Sequence, residues 1–341
     1  MIITPANLNI FFTGLDTRFW TAYSNAPTWH ATIATIYPAT TETWLQGWIS
    51  MLDKLRVWKG PRIVRTPAPQ TYGVTMLPFE LTEPIDQFKL EDDQHGIYGP
   101  LIAMMGENSA KWPDYTLRDL LEGLGDFAST GSQTGTDGVA HWSASHPVDP
   151  YDAGKGTYVN DYGASGTSID GITVGGAFGV NAWATLWQDM AARKHEGGEK
   201  IGLQPDLTMV PTQLSFAGKT VIQSAFFAPP VLAGLGTGDF PTAGSPVAAN
   251  APFVGAMDNP LRGQTDLMVN FDLSSAAAWY MLTTRKPIKP FGWILRKAPV
   301  LTPRTSPEDP VVFDSHTYLY GVTARGAPAW GLPWLSSRSG V

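Results

Sequence analysis

Several short strings in this chain carry residue types that do chemistry, and each demands a particular geometry around it. Gly218-Lys219-Thr220 has the ending of a phosphate-binding loop, where backbone N–H groups wrap the phosphates and the lysine reaches them. That loop needs a glycine five residues before its second one, and Gln213 stands there. Gly234-Leu-Gly-Thr-Gly238 lacks the preceding strand and following helix of a dinucleotide site and reads as a loop. His141 and His146 flank Trp-Ser-Ala-Ser, with Asp149 and Asp152 nearby. Imidazoles and carboxylates bind metals, but this spacing follows no ligand pattern, and His146-Pro147 reads as a turn. In Gly163-Ala-Ser165-Gly166 the second glycine comes one place too early for a nucleophile elbow. Asp92-Asp93 and Glu308-Asp309 are adjacent in sequence, so their side chains diverge and they read as caps or solvated faces. Lys54 and Lys59 could bond to a neighbouring subunit, although solvated surface lysines are the simpler reading. No catalytic, cofactor-binding or metal-binding residue is predicted, and no cofactor.

The composition agrees. With no cysteine, the chain has no disulfides, thiolate metal sites or cysteine nucleophiles, which fits a reducing compartment. A net charge of −7 without a basic block argues against gripping nucleic acid as the main task. Charged residues make up 16% of the chain, against about 25% in an ordinary soluble domain. Thirteen Trp, fifteen Phe and eleven Tyr exceed the needs of a modest core; they fit either a large aromatic core or surfaces that meet other proteins. The N-terminus has no basic region or cleavage site of a secretory signal, and no apolar run reaches the ~18 residues of a membrane span. A soluble protein made inside the cell is expected, of about two domains.

The elements that would position such groups follow from periodicity. The longest helical pattern runs from Glu91 to Asp126: Leu101, Met104 and Met105, then Leu117, Leu120, Leu121 and Leu124. Acidic residues precede it, Gly123 and Gly125 supply a stop, and Pro113 predicts two helical pieces or one kinked helix. Ahead of it, Pro5 behind Thr4 allows a helix to about Gly14, within an arm whose apolar clusters need burial on this subunit or a neighbour. Trp44, Leu45, Trp48, Ile49 and Leu52 follow helical spacing, ended by Gly60-Pro61. Arg62–Thr66, Tyr72–Leu77 and Phe79–Thr82 read as strands around the turn Pro67-Ala-Pro-Gln70, a long hairpin with a charged tip suited to a projecting arm. Ser129 to Gly179 reads as a long loop, mobile or ordered by partners. Asn181 then caps a helix with the stripe Trp183, Leu186, Trp187, Met190, which Gly197-Gly198 terminates. Leu207–Pro211, Leu267–Leu273 and Phe291–Arg296 read as strands, with a short segment at 276–282 and a loop-like stretch at 228–263. Val311–Phe313 and Thr317–Arg325, then Trp330 to Trp334, close the chain as a strand pair. Strands scattered on either side of helices, without βαβ alternation or repeats, predict an α+β fold with discontinuous domains.

Beyond these patterns, one string resembles a known family. Phe79-Glu80, Thr82, Ile85, Glu91-Asp92-Asp93, Gly96-Ile97-Tyr98 and Pro100 are similar to the major head subunit of Mu-like phages, a family of HK97-type major capsid proteins. Co-linear strings follow: His146-Pro147-Val148, Pro205 to Pro211, Asn259-Pro260 with Gly263, Trp279-Tyr280, Pro290 with Arg296, and Tyr320 to Arg325.

The resemblance implies an HK97-type capsid fold. It has an N-arm (1–30), an E-loop hairpin (59–85) reaching across a neighbour, a discontinuous peripheral P-domain with a spine helix (31–58, 86–140 and 301–341) and an axial A-domain (141–300). Pro113 departs from a usually unbroken spine, and the Gly-rich 129–179 stretch is longer than a minimal A-domain needs. The implied protein is no enzyme: it would assemble into homo-hexamers and homo-pentamers of an icosahedral shell around double-stranded DNA. It would form in the host bacterial cytoplasm and reside in the virion. DNA would meet it by proximity only, since a negative subunit releases the genome readily. No membrane is involved. The first thirty residues lack a charged coiled-coil prefix, so a separate scaffold or protease is expected, with a portal and a decoration protein as further partners. Two other functions compete: an encapsulin-like cellular shell, and a polysaccharide hydrolase suggested by the Trp and carboxylate content.

Overall fold

Residues 317 to 326 alternate strictly between buried and open, and this alternation organises the first of two compact units in the computed structural model. The structure describes residues 5–47, 71–92, 96–127, 135, 137–150, 152–227, 257–306 and 309–341. The first unit takes 1–45, 73–117 and 292–329, and the second takes 46–72, 118–291 and 330–341. No helix among the described residues is long and apolar enough to cross a membrane.

The first unit holds a four-stranded sheet ordered Ala34–Pro38, Phe291–Arg304, Thr317–Trp330, Leu77–Asp86. The last two pair antiparallel from Thr317 opposite Asp86 to Gly326 opposite Leu77. Tyr318, Tyr320 and Val322 turn to one face, as period-2 geometry requires. On that face lies the N-terminal helix, Pro5–Asn25. Its Leu8, Phe12, Leu15 and Phe19 are buried in one cluster with Ile85, Ile102 and Met105, each burial contributing about 1.5–3 kcal/mol. The helix is therefore longer than the Pro5–Gly14 expectation, and Leu8, Phe12, Leu15 and Phe19 find their burial on this subunit while Ile10 stays open. A Cβ at Gly106 would lie 2.4 Å from the Phe19 carbonyl oxygen, so glycine is what lets the two helices cross this closely.

The long helix, Tyr98–Glu122, is a single helix with Pro113 inside it, starting seven residues later than the pattern began. The preceding residues Gln87–Glu91 form their own short helix, whose first N–H groups are capped by Asp86. Around the proline, Ser109 Oγ donates to Met105 O and Thr116 Oγ1 to Trp112 O, so hydroxyls bond to the carbonyls of this stretch. Two further expectations are corrected. Trp44 and Leu45 lie in a strand, Thr43–Gly47, paired with Thr71–Thr75, and Trp44 rests 5.0 Å from the Tyr37 ring. Strand pairing overrode a helical spacing whose second half, with Arg62–Thr66 and the hairpin tip, lies outside the described residues. Residues 310–315 form a helix instead of a strand. Pro310 supplies the φ of a helix start, Val312 turns into the core, and Phe313 stays 76% exposed.

The second unit is built on a mixed sheet ordered Asp266–Asn270, Leu207–Pro211, Trp279–Leu282, Ser336–Ser339. Leu207–Pro211 is buried throughout, with the Thr208 hydroxyl bonded to the Trp183 indole and Thr265, and pairs parallel with Asp266–Asn270. Trp183, Leu186 and Met190 of the helix Val180–Ala192 pack over this sheet. The helix starts two residues earlier than predicted: Gly179, in extended backbone, occupies the cap position instead of Asn181. The expected long loop at 129–179 holds short antiparallel ribbons where described, at 146–147 with 157–158 and at 167–169 with 172–174. The final strand, Ser336–Ser339, pairs with Trp279–Leu282, so 330–341 belong to the second unit rather than with 301–329.

Candidate assembly surfaces and the buried polar network

His141 and His146, the strongest chemical candidates, are both buried. His146 Nδ1 lies 2.5 Å from Asp137 Oδ2 and its Nε2 lies 2.9 Å from the His141 carbonyl oxygen. His141 Nε2 meets Ser336 Oγ at 3.0 Å, and its ring stacks 4.3 Å from Trp330. Burial, then His146 and Arg338 nearby, hold the His141 pKa well below its ordinary value. Asn160 donates to the His141 carbonyl. The strand register therefore brings the two histidines together with Asp137, Asn160 and Ser336, while Asp149 and Asp152 serve local turns. Among the described residues no group of three His, Asp or Glu side chains converges as a metal site would require.

Arg193 is the companion of this network. Its guanidinium donates to the carbonyls of Trp334, Ser336 and Val159 and to Ser337 Oγ at 2.5–3.1 Å, tying the end of a helix to the last strand. The remaining strings also lack a site. Gly218-Lys219-Thr220 runs from a short helix into a π-turn, with Lys219 over the exposed Phe216 ring. Ser165 lies in a turn beside Gly166, which has φ +77. Gly234–Gly238, Lys54, Lys59, Asp93 and Glu308 lie outside the described residues. An open cleft of about 550 Å³ is lined by Trp142, Asp161, Tyr162 and Val341, but its carboxylate is engaged by Arg338.

The surfaces hold more information than the cavities. Large apolar side chains stand open on both units, including Ile10, Met104 and Phe313 on the first and Ile172, Phe216 and Phe271 on the second. The outer strand of the first sheet, Leu77–Asp86, carries Pro78 and Pro84, which lack the N–H that another strand would bond. The profile of the Mu-like prophage major head subunit gpT family matches residues 8–169 and 254–340, most of the chain.

The chain belongs to this family. As a head subunit, it is 25% identical to the major capsid protein of Escherichia phage Mu over 289 residues, 67% of this chain and 93% of that protein. It is 25% identical to the Mu-like prophage FluMu major head subunit of Haemophilus influenzae over 187 residues, 54% of this chain and 56% of that protein. Among solved structures, a chain from the procapsid of bacteriophage JBD30 is 24% identical, with a TM-score of 0.52. The match covers 99% of this chain and 76% of that one. A chain from the JBD30 capsid decorated with minor capsid protein trimers is 21% identical at a TM-score of 0.50, covering 80% and 100%. The fold is thus the HK97-type capsid fold, and this head subunit is a major capsid protein of a tailed bacteriophage that assembles into a multi-subunit shell. No signal in the sequence marked Asp137 or Arg193: no motif links Asp137 to His146 nine residues on, and Arg193 acts through partners more than 140 residues along the chain.

Proposed function

We propose that the chain forms hexamers and pentamers of an icosahedral shell around double-stranded DNA, by surface complementarity alone and without catalysis. In this reading the first unit is the peripheral domain with Tyr98–Glu122 as its spine, and the second is the axial domain. Residues 1–30 and 59–85 supply the N-arm and the E-loop that reaches a neighbour. Assembly takes place in the host bacterial cytoplasm, with a separate scaffold or protease, a portal and a decoration protein as partners. The observation that carries the reading is the family match running through both units. The open apolar side chains support it, since each is a weak contact that gains strength when many neighbours are engaged at once.

The test is negative-stain electron microscopy of the full chain, co-expressed with its neighbouring genes and purified by size exclusion. Closed shells or capsomer rings are expected. A compact monomer under every condition, scaffold included, would overturn the proposal.

A further inference from the structure

The strand Ser336–Ser339 is buried, yet its residues, Ser-Ser-Arg-Ser, bring no apolar side chain. Ser336, Ser337 and Ser339 are fully enclosed. Among the described residues none of the four joins the apolar clusters of the second unit, whereas Trp334 and Leu335 just before them do. The strand lies in a slot. On one side it pairs antiparallel with Trp279–Leu282, from Leu282 opposite Ser336 to Trp279 opposite Ser339. On the other side residues 160–163 form a parallel bridge to it. The Arg338 N–H donates to Asn160 O, the Tyr162 N–H donates to Arg338 O, and the Gly340 N–H just beyond donates to Gly163 O.

Polar side chains hold this strand where apolar ones hold its neighbours. Ser336 Oγ meets His141 Nε2 at 3.0 Å, and Ser337 Oγ accepts from Arg193 Nη2 at 2.5 Å. Ser339 Oγ accepts from the Gly176 N–H at 2.6 Å and donates to its carbonyl at 3.0 Å. Arg338 pairs with Asp161. Water offers the same partners to an open strand, so each such bond holds the slot closed less firmly than a buried apolar side chain would. A segment short of apolar contacts can open while the rest of its unit stays folded.

Among the described residues touching the strand's side chains, His141 is the one whose ordinary titration falls between about pH 5 and 8. The rings of Trp330, Trp142 and Phe291 enclose it. The charged groups around it are Arg338, His146 and, through Ser336, Arg193. The carboxylates of this network are already engaged: Asp137 by His146, Asp161 by Arg338, and Asp189 by Tyr162 and Arg193. A proton on His141 would place a second cation near Arg338 with none of these carboxylates left to meet it.

We propose that Ser336–Ser339 is a proton-released latch: uptake of a proton by His141 lets this strand leave its slot while the rest of the second unit stays folded. Its departure uncovers backbone donors and acceptors on both walls, Trp279–Leu282 and 160–163, while Trp334 and Leu335 stay anchored in their apolar cluster. An imidazole enclosed in the closed form and wet in the open one favours opening as pH falls below about 6.5. The latch belongs to the single subunit and stands whether or not shells form.

The experiment is amide hydrogen exchange read by mass spectrometry on the full-length protein at about pH 7.5, 6.5 and 5.5, with labelling times scaled to the intrinsic rate at each pH. Wild type is compared with His141→Gln, which keeps a polar group toward Ser336 but does not titrate. A His141→Phe chain repeats the comparison with the ring stack on Trp330 kept, so a folding defect peculiar to glutamine does not decide the result. In the wild type the opening constant of 336–339 is expected to rise about tenfold between about pH 7.5 and 5.5, with that of 279–282 rising alongside. The helix Val180–Ala192 keeps its protection throughout, and both variants lose the rise. A wild type whose 336–339 opens equally at every pH, or opens only together with 180–192, overturns the proposal. So does a rise that persists in a folded variant.

Discussion

At the scale of single residues, the buried network makes His141 and Asp137 sensitive reporters of the second unit. The His146–Asp137 pair is fully enclosed, with side-chain exposures of 0% and 1%. Removing one partner of such a pair leaves the other desolvated, so Asp137→Asn is expected to cost about 3 kcal/mol in urea unfolding. His141 gives a pH dependence with a definite sign. Its folded pKa is depressed from 6.5, chiefly by burial. Above that pH the imidazole is neutral whether folded or unfolded, and the stability it contributes is fully present. Below it the unfolded chain binds a proton that the folded chain refuses, and stability falls with pH. His141→Phe should therefore flatten the stability profile between about pH 6.5 and 5. An unchanged slope in thermal melts across that range would assign the acid sensitivity to other groups.

At the scale of elements, two contacts decide whether helices stay on their sheets. Gly106 permits the crossing of Pro5–Asn25 over Tyr98–Glu122, because a Cβ there would meet backbone, which cannot give way as a flexible side chain does. Gly106→Ala should cost about 1–3 kcal/mol through overpacking, despite alanine's better helix propensity. The loss should appear as a lower melting temperature and faster proteolysis of the N-terminal helix. Arg193 is the equivalent in the second unit. Lysine offers one point charge where the guanidinium's fork reaches the carbonyls of a 3-10 turn, a strand and a loop. Arg193→Lys should therefore destabilise the subunit by about 2–4 kcal/mol in the same unfolding assay. The helical stripe at 183–190 and the apolar run at 207–211 could be read in advance, since a local window contains the whole of each pattern.

At the scale of the whole molecule, folding and assembly should separate. Each unit has its own buried cluster among the described residues. Replacing residues 48–70 by a Gly-Ser linker should leave circular dichroism and melting temperature close to wild type while abolishing shells by electron microscopy. Loss of folding would show that the segment belongs to a core. A subunit that gathers many weak contacts is sensitive to the loss of any one of them, because the free energies sum around a closed shell.

What the sequence by itself determined was local or serial. The long helix pattern, the amphipathic helix after Gly179, the buried strand 207–211 and the co-linear strings from Phe79 to Arg325 all sit within windows that periodicity or a family pattern can read. The tertiary structure decided what depends on distant partners. Tyr318 and Tyr320 complete the burial of the N-terminal helix. Pairing with Thr71–Thr75 makes a strand of Trp44 and Leu45, and pairing with Trp279–Leu282 carries the last residues into the second unit. The imidazole of His146 meets Asp137 nine residues away, while that of His141 meets Ser336 across 195. Periodicity records which face of an element is apolar. Which surface that face meets is settled only when strands far apart in the chain come into register.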